Sequence, residues 1–142
     1  MKALAVIMFF FGVLAMMYFE DMGSHDDLHG EAIALNFSIY RNEVHRYVFD
    51  NHKTPGDIIT ASLDLPTGWV MLRPWHARIE AGCLYVWGQA SPEEIAEVRD
   101  LYWGTYAIGR AEGGRIVPSY GGTTPVPSFV PEDNIVSVVS VE

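Results

Sequence analysis

EAIALNFSIYRNEVHRYVFDN, residues 31–51, is the stretch on which the fold turns. Ile33, Phe37, Tyr40, Val44, Tyr47 and Val48 recur at three- and four-residue spacing and lay one apolar stripe along a helix. Asn36, Arg41, Asn42 and Glu43 fall on the opposite face. The pattern predicts a helix over 31–52, stopped between Asn51 and Gly56, where Pro55 cannot continue the hydrogen-bond ladder. A stripe this wide must be covered by a second layer, and a sheet can supply one.

The sequence after this helix supplies the strands. Asp57 to Leu65 reads as a short helical turn, ended by Pro66 and Gly68. Ala77–Ala81 and Cys83–Gln89 are strand-like runs about Gly82. Ser91-Pro92-Glu93-Glu94 carries a helix start: Ser as N-cap, Pro at the first position, Glu three after the cap. That helix is expected to reach about Tyr102, with Ile95, Val98 and Leu101 inward. Strands Thr105–Ala111 and Arg115–Tyr120 are joined at Glu112-Gly113-Gly114. Pro125, Pro127 and Pro131 mark an irregular link, and Asn134–Val141 is a last strand. The class is α+β, an amphipathic helix on an antiparallel sheet with a second short helix.

Toward the N-terminus the character changes. Residues 20–30, EDMGSHDDLHG, are acidic without apolar periodicity and read as a linker, with a break expected at Gly23 and Gly30. Residues 3–19 carry no charge; Lys2 precedes them and Glu20 and Asp21 follow. Seventeen helical residues rise roughly 26 Å, close to a hydrocarbon core. The charge asymmetry predicts a single-pass inner-membrane protein, N-terminus cytoplasmic and domain periplasmic. The partition is thus 1–20 transmembrane anchor, 21–30 linker and 31–142 extracytoplasmic domain.

A competing reading is a cleaved signal peptide, with its site after Val13-Leu14-Ala15. Met16, Met17, Tyr18 and Phe19 would then open the mature chain, an apolar start that favours the retained anchor. A prepilin leader would need Gly12 as its cleavage glycine, and the fifth residue after it is Met17 instead of Glu.

The chain has 142 residues, room for one domain beyond the anchor. Without Lys2 and Glu20, the 9 basic and 18 acidic side chains become eight and 17. Such a surface repels phosphate backbones and argues against nucleic-acid partners. Cys83, in the apolar string CLYVW, is the single cysteine, so no internal disulfide forms and a buried, inert thiol is expected.

Little in the sequence specifies catalysis. His25-Asp26-Asp27-Leu28-His29 has metal-ligand residue types, but in a linker no packed shell would orient them. His45 and His52 share a helix face and lack an evident third ligand. GxSxG, HExxH and P-loop patterns are all missing. The expectation is a non-enzymatic protein without cofactor, metal or small-molecule substrate. A small hydrolase using Cys83 or the histidines is the remote alternative. The large residues carry more information. Trp87 lies in an apolar strand and reads as core. Trp69 and Trp75 flank VMLRP, and with Arg73 and His76 they form the candidate interaction surface, since aromatics beside Arg anchor interfaces.

The order of features resembles a known family. YRNEVHRYV (Tyr40–Val48) is followed by P-G-x-I-x-x-x-x-L-x-L-P-x-G-W (Pro55–Trp69). A glycine hairpin then ends in YVW (Tyr85–Trp87), and P-x-P-x-x-V-P-x-D-N-x-V (Pro125–Val136) closes the set. This is similar to the PilM family of small inner-membrane proteins encoded with the thin, type IVB conjugative pili of plasmids. The resemblance implies a pilus assembly or basal-body component that contacts other assembly proteins or pilin. It carries over no catalytic residues. The helix-on-sheet layout is also similar to pilins and pseudopilins, so a minor pilin within the fibre is the alternative.

Overall fold

The computed structural model describes residues 2–105, 107–117 and 123–142; the side chains of residues 2–6 and 16–27 lie outside that description. The chain forms two compact units, Met1–Gly30 and Glu31–Glu142.

In the first unit the backbone is helical from Lys2, as the start of helix α1 (Lys2–Phe49). The helix runs through Gly23 and Gly30 without the expected break, because one glycine costs a helix only about 1 kcal/mol. Ile7, Met8, Phe9, Phe10, Phe11, Val13 and Leu14 are all exposed. Among the described residues, no helix is long and apolar enough to cross a membrane. The anchor expected over 1–20 falls largely on positions whose side chains lie outside that description.

In the second unit, residues 31–49 of α1 lie on a six-stranded antiparallel sheet. Its strands are β1 (Gly56–Asp57), β2 (Trp75–Glu80), β3 (Cys83–Gly88), β4 (Ile108–Glu112), β5 (Arg115–Val117) and β6 (Ile135–Ser140), in the order β1-β2-β3-β6-β4-β5. The short helical turn expected within 57–65 is found as a single 3-10 turn, Thr60–Ser62, directly after β1. Strands β4 and β5 match the expected pair, though Tyr106 and residues 118–120 of those runs lie outside the described residues.

The apolar stripe does what its spacing implies. Ile33, Phe37, Tyr40, Val44 and Val48 are buried against Trp75, Ala77, Ile79, Leu84, Val86, Ile108 and Ile135 of the sheet. Helix α2 (Pro92–Leu101) covers the same face with Ile95 and Val98. Its start is a full capping box: Ser91 Oγ accepts from the Glu94 N–H, and the Glu94 carboxylate accepts from the Ser91 N–H.

Two positions assigned to the polar face of α1, Asn36 and Glu43, are in fact buried. Asn36 is buried because it has work for every polar atom. Its Nδ2 donates to Val70 O at 2.8 Å, and its Oδ1 accepts from Leu72 N at 3.0 Å and from Trp75 Nε1 at 2.8 Å. One side chain thereby fixes the 69–75 loop to the helix, which periodicity alone cannot reveal.

Candidate functional site

The second face of the sheet has its own core and its own unfilled surface. Alternation along β2 sends Trp75, Ala77 and Ile79 toward the helices, and His76, Arg78 and Glu80 to the outer face. In β3, Leu84 and Val86 face the helices while Cys83, Tyr85 and Trp87 face outward. The register pairs His76 with Trp87, Arg78 with Tyr85, and Glu80 with Cys83. Cross-strand neighbours of this kind stand close enough to stack. The His76 ring lies on the Trp87 indole with centroids 5.5 Å apart and planes 28° from parallel.

Part of this face is roofed by residues 123–134, a strap rather than a strand. Val126 and Val130 bury themselves with Tyr85, Trp87, Ala111, Ile116 and Val136. The strap is held by backbone bonds: Ile116 N to Thr124 O at 3.0 Å, Val126 N to Gly114 O at 2.8 Å and Asp133 N to Ala111 O at 2.8 Å. Both Glu132 carboxylate oxygens accept from Gly113 N at 3.1 Å. Prolines 125, 127 and 131 suit a segment that pairs irregularly and lacks donors of its own at those positions. Phe129 projects from the strap onto Trp87 and, edge-on, onto Tyr85, with centroids 5.2 and 5.4 Å away. Arg78 places its guanidinium carbon 5.0 Å from the Phe129 ring centre.

Between Phe129 and the β1 arm the face is open. A trough of about 460 Å³ is lined by Ile58, Ile59, His76, Arg78, Trp87 and Phe129, with Asp57 and Thr60 on its rim. A second hollow of about 260 Å³ continues beyond the His76–Trp87 stack, toward Gln89, Pro131 and Asn134. The surface is aromatic and apolar with a few polar groups, the usual make-up of a protein-contact site. Arg78 is partly neutralised by Glu80 Oε1 at 3.1 Å and Asp57 Oδ1 at 3.6 Å, so the trough carries little net charge.

The structure distributes the four residues of the candidate surface. His76 is exposed and lines both hollows. Trp75 is 3% exposed; its ring meets Phe37 edge-on at 5.1 Å, and it reaches the trough only as part of the wall. Trp69 is half-buried and stacks on Tyr40, with centroids 6.4 Å apart. Arg73 donates to Glu94 at 2.7 Å and ties the loop to the start of α2. Three of the four therefore serve the fold, since Asn36 draws the loop inward. Trp87, Arg78, Phe129 and Ile59 complete the site. Strict alternation applied to WHARIE and CLYVWG would have placed His76, Arg78 and Trp87 on one face; Phe129 offers no such signal.

The catalytic candidates are dispersed. Cys83 is half-buried on the outer face beside Tyr85, whose hydroxyl is pushed above its usual pKa by burial and then by the neighbouring thiol. Cys83 and His76 sit at opposite ends of the β2–β3 ladder, roughly 13 Å apart at strand rise, which is too far for a nucleophile–base pair. Among the described residues no group of three or more His, Cys, Asp or Glu could hold a metal ion. His25, Asp26 and Asp27 lie outside the residues whose side chains are described.

The comparisons with known proteins follow the fold. The family model PilM matches residues 6–138. A crystal structure from Escherichia coli B7A, assigned to PilM, superposes with a TM-score of 0.59 at 19% identity, covering 79% of this chain and 92% of that one. No curated protein matches.

Proposed function

Because the chain belongs to the PilM family, we propose that it is a membrane-anchored, non-enzymatic component of a type IV, thin conjugative pilus assembly apparatus. It acts by contact with other assembly proteins or with pilin. The observation that carries this reading is the open aromatic trough on the outer face of the sheet. Ile59, 69% exposed, stands with the stacked His76–Trp87 pair and Phe129 in one open trough, and such a cluster of aromatic and apolar groups suits contact with another protein. The apolar run 3–19 supplies the tether, in a single pass through the inner membrane with Lys2 inside and the Glu31–Glu142 unit in the periplasm.

Complementation of a deletion strain tests this reading. Loss of the gene is expected to abolish thin pili and mating in liquid. Ile59→Asp and His76→Ala, both at exposed positions, are expected to restore protein levels while leaving mating at least tenfold down. Normal piliation in the deletion strain would overturn the proposal.

The pilin-like arrangement of α1, with exposed apolar residues ahead of a sheet-packed half, favours a second reading as a minor pilin in the fibre. Mass spectrometry of sheared pili separates the two. An assembly component stays with the membranes and keeps its Met1 end, whereas a minor pilin appears in the fibres.

A further inference from the structure

Helix α2 ends in a way that serves the fold poorly. Its last bonds form a Schellman turn beyond the cap residue Tyr102: Trp103 N donates to Asp100 O at 3.2 Å, and Gly104 N donates to Arg99 O at 2.8 Å. The residue after the cap is then left-handed, a place that glycine usually takes. Trp103 takes it, at φ 58°, with Gly104 at φ 68° behind it. A bulky side chain there strains the backbone. No packing offsets the strain, since the indole is 96% exposed. Gly104 also lacks the side chain whose apolar contact often accompanies such a turn.

A second mismatch stands beside the first. Asp100 puts a carboxylate in the last turn of α2, at the negative end of the helix dipole, where a cation is favoured. It shares the outward face of α2 with Glu93, Ala96 and Glu97, while Arg99 lines a hollow with Ile95 and Arg110 instead. Leu101, 49% exposed, completes the tip. The neighbouring Tyr102 does belong to the fold: the Arg41 guanidinium carbon lies 4.6 Å from its ring centre, and Asn42 Oδ1 accepts from its hydroxyl at 3.3 Å. Residues that break local rules without improving the packing concentrate at functional sites.

We propose that this tip, Trp103 and Leu101 backed by the carboxylates of Glu93, Glu97 and Asp100, is a second contact surface, and that it takes a cationic segment with an apolar side from a different protein. The inference rests on the contact-making reading above. Tryptophan is among the residues most often found as interface anchors, and its ring face attracts Lys or Arg. The carboxylates complement further cations and steer the approach. A second copy, with its net charge of −9, would bring acid to acid, and the same carboxylates repel anionic lipid. Helix α2 packs on the helix-covered face of the sheet and the trough lies on the strap face, so one copy engages both surfaces at once.

The test uses the full chain in the cells that make it, with p-benzoyl-phenylalanine in place of Leu101. Irradiation is expected to capture another protein at a segment holding two or more Lys or Arg beside apolar residues. Trp103→Gly should lower that yield at least tenfold, and Asp100→Lys at least threefold, at unchanged protein level. Thermal unfolding gives a readout that a structural role would move the other way: Trp103→Gly relieves the strained turn, so its midpoint should equal or exceed that of wild type. A lowered midpoint, a yield indifferent to Trp103→Gly, a captured segment without Lys or Arg, or no adduct beyond self or lipid overturns the proposal. Full mating in Trp103→Gly, beside its loss in Ile59→Asp, would also strike this surface and leave the trough and the assembly function standing.

Discussion

Replacing Asn36 by Ala removes the side chain that holds the 69–75 loop to α1. Val70 and Leu72 are exposed, so water can take over their backbone groups, and each lost bond costs roughly 0.5–1 kcal/mol. Trp75 is different: at 3% exposure its indole N–H is left without an acceptor, adding about 1–3 kcal/mol. The total is about 2–5 kcal/mol, a large part of the 5–15 kcal/mol that holds an ordinary domain together. For a unit of this size that corresponds to a midpoint lowered by roughly 8–20 °C. Thermal unfolding of the protein, followed by tryptophan fluorescence, measures it. Trp75→Phe keeps most of the ring and removes the donor, so the double mutant should be less destabilised than the sum of the singles by about 1 kcal/mol or more. An Asn36→Ala protein within about 0.5 kcal/mol of wild type, or strict additivity with Trp75→Phe, would refute the reasoning.

Gly88→Ala drives a Cβ into the Trp75 ring at Cε3 and to 2.9 Å from Pro74 O, and urea unfolding should show a loss of about 1–3 kcal/mol or more. Glu94→Ala removes the reciprocal cap of α2 and the partner of Arg73 together; a loss of about 1–3 kcal/mol is expected in the same assay. Burial, aided by the positive charge of Arg41, pulls His45 from 6.5 down to about 4. The unfolded chain therefore takes up a proton that the folded one refuses, and stability falls as pH drops from about 6.5 to about 4. His45→Gln should flatten that limb of the melting-temperature profile, and an unchanged slope would show that His45 is not its source. Trp103→Ala, at an exposed position, should leave the midpoint within the range set by about 0.5 kcal/mol.

Much of this fold can be read in the sequence, because local rules dominate there. The stripe from Ile33 to Val48 and the cap at Ser91 are fixed by spacing within a few residues, and both are found where expected. The 21–30 segment was read from composition, yet backbone continuity tolerates its two glycines. Of the four residues of the candidate surface, strand alternation places His76 at the open trough, while Trp69, Arg73 and Trp75 are engaged by Tyr40, Glu94 and Asn36, partners distant in sequence. Phe129 reaches Trp87 from a proline-punctuated strap whose course depends on long-range backbone pairing, and no periodicity encodes that.

The strap has a consequence at the rim of the sheet. Beyond β5 the backbone is engaged: Ile116 bonds to Thr124, Arg115 bridges to Pro125, and Val126 bonds to Gly114. At the other rim β1 is two residues long, and Ile58 adds one bond to Ala77 before the chain turns away. Among the described residues, neither margin offers a long bare edge on which a foreign strand could zip, the usual route to amyloid-like stacking or strand donation. The blunting keeps the sheet from growing by strand addition, so a contact on this unit is read through side-chain shape and not through main-chain pairing.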